Sequence, residues 1–286
     1  MTGRYFVVAH PDDPSGRVAG HYDRLDRFYR QLWGEHLHHG LWADSTFSTD
    51  EAVHHLVHRV AADARIGAGT RVCDVGCGYG APARLWAETY GAEVMGFTVS
   101  RVQHAYAEQQ PVHGPAPTYR LQDFLVNDLS DESVEAVVGI ESLTHIQDPG
   151  RIFREAARVL RPGGRLVLCV WMAAPDASRR TRKWLLDPIC EEGRLSGLPT
   201  ATTLHQWATQ AGFSVERLDD VTSMVRRTWT VVLRRFFHAL LTDPSVFGTL
   251  LDSSVPDRVF ARTIPRIWLA QHVGALRYGW LVAVQE

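Results

Sequence analysis

A doubly wound α/β sheet is the fold class that the sequence predicts, and three observations predict it. From residue 70 onward, short β-branched runs alternate with helix-patterned segments. A glycine-rich turn, Gly76-Cys77-Gly78-Tyr79-Gly80, joins the first of those runs to the helix after it. The chain has 286 residues, 45% hydrophobic and 22% charged, which suits one globular domain and excludes a disordered, collagen-like or coiled-coil protein.

Taken in order, residues 71–75 read as the first strand and 81–90 as its helix, and 93–99 and 101–110 repeat the unit. Residues 117–124 give a third strand running into a loop, 133–142 a fourth strand, 149–160 a helix and 165–172 a fifth strand. Pro162-Gly163-Gly164 reads as the turn that ends that helix and starts the strand. Before this core, 17–42 and 49–65 look helical, with Asp23, Arg24, Asp26 and Arg27 interleaved among Tyr22, Leu25, Phe28 and Leu32. After it come a helix over 204–212 closed by Gly212, a strand over 214–222, helices over 226–242 and 257–272, and a last strand over 276–285. The outlying helices are material for a cap over the carboxyl edge of the sheet, where ligands bind in this architecture. The expected organisation is a leader and helical cap over 1–69, a ligand-binding α/β core over 70–172, and the remaining core strands with an inserted substrate cap over 173–286, all in one domain.

The formal net charge of −2 gives no electrostatic reason to expect nucleic acid or an anionic membrane as a partner. The apolar patch Tyr5 to Ala9 is too short for a signal peptide or a membrane span, and residues 10–16 suit a flexible leader. Four cysteines (Cys73, Cys77, Cys169, Cys190) are too few for a disulfide framework, so a reducing, cytoplasmic setting is expected. The sequence is compatible with a homo-oligomer and does not specify one. Of 30 basic residues only Lys183 is lysine, a skew with no functional reading.

Glycines 76, 78 and 80 permit close backbone approach to a ligand at a helix N-terminus, and the pattern alone also satisfies a dinucleotide fingerprint. A dinucleotide site wants a carboxylate at the end of the second strand, yet Gly96-Phe97-Thr98-Val99-Ser100 carries none. Instead, residues 74–80 resemble motif I of class I S-adenosylmethionine (SAM) dependent methyltransferases. Thr98, Ser100 and Gln103 match the ribose segment of a small-molecule subgroup that includes tocopherol, sterol and sugar-O methyltransferases. Residues 33–42 are similar to that subgroup's WGEHxHHGxW segment, Gln122-Asp123-Phe124 to its adenine-binding acid, 141–146 to its motif after the fourth strand, and 160–164 to its turn after the helix. Together these cover residues 22 to about 172 in order.

The resemblance implies a mostly parallel seven-stranded, Rossmann-like methyltransferase sheet, with SAM as cofactor and a small natural-product acceptor methylated on O, N or a nucleophilic carbon; the aromatic residues of the caps point to a largely apolar acceptor, aromatic, terpenoid or macrocyclic. The alternative is a methyltransferase-fold cyclase or scaffold that binds SAM without methylating. It implies donor contacts from Asp74, Gly76, Cys77, Gly78, Thr98, Ser100, Gln103, Asp123 and Phe124. Physically, the glycine turn admits the amino-acid part, the Thr98, Ser100 and Gln103 polar groups suit a ribose, and Asp123 can accept from an adenine amino group.

An in-line methyl transfer needs an aligned acceptor, and a hydroxyl or ammonium acceptor also needs a base. Glu141 and His145 follow the fourth strand at its carboxyl edge. His145 reads as that base or as a pocket wall. Glu141 reads as base, as ligand to an acceptor cation, or as acceptor for the N-terminal helix. Thr144 stands where some sugar-O members carry a second histidine, and Tyr22 resembles the tyrosine that covers the donor site. No metal is expected, since neither His36, His38 and His39 nor His54, His55 and His58 has a His-Glu-x-x-His arrangement or nearby cysteines. Trp33, Trp42, Trp184, Trp229, Trp268, Phe236 and Phe237 read either as an aromatic acceptor pocket or as core beneath the caps. Arg179, Arg180, Arg182, Arg226, Arg227, Arg234 and Arg235 read as anion ligands or as a solvated face.

Overall fold

A computed structural model describes residues 6–7, 14–242 and 260–286. Among these, β1 (Phe6–Val7) pairs antiparallel with β7 (Gly197–Leu198) as a two-stranded ribbon apart from the main sheet. The main sheet holds β2 (Arg71–Val75), β3 (Glu93–Thr98), β4 (Thr118–Leu121), β5 (Val134–Ile140), β6 (Leu160–Ala173), β8 (Phe213–Asp220) and β9 (Leu276–Gln285), in the spatial order β4-β3-β2-β5-β6-β9-β8. Only β9 runs against its neighbours, so the seven-stranded sheet is mostly parallel, as the sequence predicts. The order reverses between β2 and β5, and a crevice opens there at the carboxyl ends of the strands.

Both sheet faces are covered, which is why the central strands read as near-continuous apolar runs; Ala136, Val137 and Val138 of β5 are all fully buried. The helices are α1 (Pro14–Trp33), α2 (Thr49–Asp63), α3 (Ala81–Tyr90), α4 (Arg101–Gln109), α5 (Pro149–Val159), α6 (Arg179–Thr181), α7 (Asp187–Glu192), α8 (Ala201–Gln210), α9 (Thr222–Val225), α10 (Arg227–Thr242) and α11 (Phe260–His272). One apolar cluster joins α2 and α3 to the sheet around Leu56, Val57, Trp86 and Tyr278. Another joins α5 and α8 to the opposite face around Ile152, Phe153 and Leu204. A third lies beyond the sheet, where α7, α10 and α11 gather Ile189, Trp229, Phe236 and Ile267. The ends of α2 show how local sequence sets the elements: Ser48 and Glu51 form a reciprocal capping box, and the apolar face from Val53 to Val60 docks on the core.

Several boundaries differ from the sequence reading. The helix expected over 17–42 starts at Pro14, so residues 14–16 of the expected leader form its first turn, while 10–13 lie outside the described residues. It stops at Trp33 because Gly34 adopts φ +82, a left-handed conformation that ends the helix, and 34–42 continue as irregular chain. Pro162-Gly163-Gly164 does not begin a new strand. It is a bulge within β6, where pairing with β5 jumps from Leu160 opposite Val134 to Arg165 opposite Ala136, with Gly163 at φ +78. The helix expected over 226–242 is α10, with the short α9 just before it at the end of the expected strand 214–222, and of the one expected over 257–272 residues 257–259 lie outside the described residues. Residues 179–192, for which no element was expected, form α6 and α7 joined by a π-helical turn, Arg182–Leu186. No helix among the described residues is long and apolar enough to cross a membrane.

Candidate active site

A cavity of about 370 Å³ opens at the switch point between β2 and β5. The glycine turn forms its floor. Gly76 and Gly78 both line it with positive φ, +77 and +56. A Cβ on Gly76 would lie 2.4 Å from the Ser142 Cβ, so glycine is required there for the close approach of the two crossover turns. Gly78 differs, with nothing within 4 Å of a Cβ placed on it.

Behind this turn Asp74 is buried, and among the described residues its Oδ2 has no hydrogen-bond partner. Burial raises its carboxyl to about 7. An unpaired buried carboxylate oxygen beside an open glycine turn suits a cationic group such as the α-ammonium of an amino-acid moiety. Across the cavity Asp123 caps the short 3₁₀ turn Phe124–Val126, accepting from the Leu125 N–H at 2.9 Å, and both Asp123 and Phe124 line the wall.

The polar residues after β3 divide their work. Thr98 and Gln103 line the cavity, joined by a 3.0 Å hydrogen bond from the Thr98 hydroxyl to the Gln103 Oε1. Ser100 does not line it. Its Oγ accepts from the Gln103 N–H as the N-cap of α4 and donates to the Asp23 carboxylate at 2.5 Å. Cys77 also lies off the cavity; its Sγ fills the space a Gly96 side chain would need, 2.8 Å from a Cβ placed there. The expected contacts therefore converge on the cavity for Gly76, Gly78, Thr98, Gln103, Asp123 and Phe124, whereas Asp74, Cys77 and Ser100 support it from behind.

Glu141 lines the cavity at φ +61, a left-handed backbone that turns its side chain under the 34–42 segment. Its Oε1 accepts from the His39 main-chain N–H at 2.7 Å, the His39 Nδ1–H at 2.9 Å and the Tyr278 hydroxyl at 2.8 Å. Its Oε2 accepts from the Trp171 indole at 2.9 Å. Burial pushes this carboxyl up, but the adjacent His39 and the hydrogen bonds it donates outweigh burial and hold it at about 2. The Trp229 indole donates to the His39 Nε2 at 2.7 Å, so the ring proton given to Glu141 is the one on Nδ1. All four hydrogen bonds favour the carboxylate over the acid. A carboxylate so occupied is a weak base and a strong anchor. All four donors come from the irregular 34–42 segment, β6 and β9 rather than from the N-terminal helix, which was the structural partner the sequence offered.

His145 sits 3.0 Å from the Tyr22 hydroxyl through Nε2, and its Nδ1 lies 3.4 Å from the Arg194 carbonyl. A carbonyl only accepts, so Nδ1 carries the proton and Nε2 is the basic nitrogen, facing Tyr22. Burial, with the Glu141 charge added, pushes the Tyr22 phenol upward, so it stays protonated.

The N-terminal segment reaches the site through carboxylates and a histidine whose roles the sequence reading did not assign. Besides Asp23, Asp26 accepts from the Tyr79 hydroxyl at 2.6 Å, and Glu35 holds Arg84 at 2.5 Å and the Tyr106 hydroxyl at 2.8 Å. Residues 33–42 stood out as a motif, and that was the available sign that they fasten to the site. Of the aromatic set, Trp33 and Trp229 line the cavity and Trp171 joins them; Trp42 donates to the Thr228 hydroxyl, Trp268 to the Thr230 hydroxyl, Phe236 is core, and Trp184 and Phe237 are exposed. None of the seven singled-out arginines lines the cavity, and Arg227 stacks 4.2 Å from the Trp42 ring. His36 donates to His38 and His38 to the His39 carbonyl, and among the described residues no three His, Cys, Asp or Glu side chains converge as metal ligands.

Comparison with known proteins agrees with this geometry. The family described as Mycolic acid cyclopropane synthetase matches residues 11–247. The 27-O-demethylrifamycin SV methyltransferase of Amycolatopsis mediterranei is 32% identical, over 82% of this chain and 96% of that protein. Among solved structures, the (4+2)-cyclase SpnF is 25% identical with a TM-score of 0.77, covering 99% of both chains. The mycolic acid cyclopropane synthase CmaA1 complexed with SAH and CTAB has a TM-score of 0.84 at 18% identity, over 96% of this chain and 99% of that one. The chain belongs to the mycolic acid cyclopropane synthetase family and is an S-adenosylmethionine-dependent methyltransferase.

Proposed function

We propose that this enzyme methylates a hydroxyl of a small, largely apolar natural product, aromatic or macrocyclic in class, as part of secondary metabolism. The observation that carries the reading is the wall opposite the glycine turn. Trp171, Trp229, Ile189, Leu195 and Ile267 line it, and its polar atoms are turned into the protein: the Trp171 indole to Glu141, the Trp229 indole to His39, and the Thr263 hydroxyl to Glu192 at 2.5 Å. A wall of ring faces and aliphatic groups selects apolar bulk and offers a strongly polar acceptor nothing to bind. The likeness to a rifamycin methyltransferase supports the same acceptor class. Helices α1, α7, α10 and α11 act as the acceptor cap.

SAM supplies a methyl group on a sulfonium, already activated for in-line displacement. On the donor side, the Gly76–Gly78 turn, with the Asp74 carboxylate behind it, would meet the amino-acid part, Thr98 and Gln103 the ribose, and Asp123 with Phe124 the adenine. On the acceptor side, His145 takes the hydroxyl proton on Nε2 once that hydroxyl takes the place of Tyr22, and Tyr22 holds the ring until then. Glu141 fixes the Trp171 and His39 sides of the pocket and takes no proton. General-base catalysis of this kind contributes roughly 10² to 10⁴-fold. The four cysteines are free and buried, which supports a reducing, cytoplasmic setting.

The test is incubation with methyl-labelled SAM and a panel of hydroxylated aromatic and macrocyclic acceptors. Label on the acceptor oxygen is expected, falling at least 100-fold in His145→Ala with SAM affinity kept. The likeness to SpnF favours one second reading, a cyclase that binds SAM unconsumed. Acceptor cyclisation without label transfer would establish that and overturn methylation.

A further inference from the structure

His145 closes the three-residue 3₁₀ turn Leu143–His145 after β5, a segment too short to orient a ring by itself. Residues 194–196, which follow α7, fold over it. Arg194 holds φ +55, uncommon for a residue with a side chain, and in that conformation its carbonyl accepts from the His145 Nδ1–H. Ser196 straddles the histidine. Its main-chain N–H donates to the Thr144 carbonyl at 2.7 Å, and its hydroxyl lies 2.5 Å from the Ile146 carbonyl and 2.9 Å from that of Thr144. The carbonyls on both sides of His145 are thus tied to one buried serine. The clasp is itself anchored, because the next two residues form β7 against β1 and the Pro199 carbonyl accepts from the Ala173 N–H at the end of β6.

We infer that Ser196 is a positioning residue for methyl transfer: with the Arg194 carbonyl it fixes the tautomer and direction of His145, so that Nε2 meets the acceptor hydroxyl. This rests on the reading of His145 as the base. The two are linked through the ring, since a carbonyl on Nδ1 both selects the Nε2 lone pair and stabilises the imidazolium that forms when it takes a proton.

The test is a cycle of Ser196→Ala, His145→Gln and the double variant, with kcat followed against pH and SAM binding measured by calorimetry. Ser196→Ala should lower the kcat plateau on the order of 10-fold and move its acid limb to lower pH, because the imidazolium loses part of its support, while SAM affinity stays within about twofold. The double variant should be no slower than His145→Gln alone, as expected of residues acting through one group. An unchanged plateau and limb in Ser196→Ala, or full additivity in the cycle, overturns the inference and leaves the base reading intact. Full turnover in His145→Gln overturns the base reading, and the inference with it. If Ser196→Ala fails to bind SAM, Ser196→Cys, which keeps the volume and a weak donor, is read by the same criteria.

Discussion

Replacing Glu141 with Gln separates anchor from base. The carboxylate accepts four hydrogen bonds, three on Oε1 and one on Oε2. An amide presents one oxygen and one NH₂. Turned to keep its oxygen toward His39 and Tyr278, it sets a donor against the Trp171 indole N–H; turned the other way, it faces three donors. The better arrangement leaves both the Trp171 indole N–H and the amide NH₂ that faces it without an acceptor and weakens three charge-assisted bonds, about 2–4 kcal/mol together. For a chain of this size that lowers Tm by roughly 3–7 °C. Because Trp171 is part of the acceptor wall, KM for the acceptor should rise while SAM affinity holds. Thermal melts and steady-state kinetics on the variant check both. With its pKa held near 2 against an ordinary 4.5, Glu141 contributes stability fully above pH 4.5 and loses it as pH falls toward 2, and it gives no limb to a rate profile between pH 5 and 9. An unchanged Tm together with a 10³-fold fall in kcat at unchanged KM would refute the anchor role and make Glu141 the base.

Three further outcomes follow from the donor side. Asp74, raised from 3.8 to about 7, costs stability progressively as pH rises from 3.8 to 7, so Asp74→Asn should stabilise the ligand-free protein above pH 7; SAM affinity should increase from pH 6 to 8 in the parent and stay flat in the variant by calorimetry. Gly78→Ala should cost only about 1 kcal/mol in a urea melt, since its Cβ meets nothing, yet weaken SAM binding at least 10-fold, whereas Gly76→Ala should give little folded protein because of the 2.4 Å approach to Ser142. Asp23→Ala removes the acceptor of the Ser100 hydroxyl and a contact at 3.3 Å with the Val102 N–H, and should cost about 1 kcal/mol while raising the SAM dissociation rate in stopped-flow.

The sheet was legible because its strands are short, β-branched and separated by glycine or helix-patterned segments, and their period survives in the primary sequence. The glycine turn was legible for a related reason: a close approach of backbones requires glycine, as at Gly76, and glycine is visible. Other features leave no such trace. Whether Ser100 faces a ligand or caps a helix depends on Asp23, 77 residues away, which takes its hydroxyl. Whether Glu141 is a base or an anchor depends on donors from residues 39, 171 and 278, three separate parts of the chain. Both decisions are made by partners that only the tertiary structure assembles. The 34–42 segment misled for the same reason. Its helix-like composition is overridden at Gly34, after which the backbone of His39 binds Glu141 in place of a helical partner.

Tyr22 and Asp23 are consecutive on α1, yet they reach opposite halves of the site. Tyr22 meets the basic nitrogen of His145, and Asp23 meets the N-terminus of α4, beside Thr98 and Gln103. One turn of helix therefore cannot leave the donor side without carrying Tyr22 away from His145. The interactions that seat α1 there, Asp26 on the Tyr79 hydroxyl with Glu35 on Arg84 just past its end, both fall on the glycine turn and the first turn of α3, so the helix is seated on the donor-binding element itself. One helix thus holds the contact to His145 and the contact to the start of α4, in a segment that contributes no strand to the main sheet.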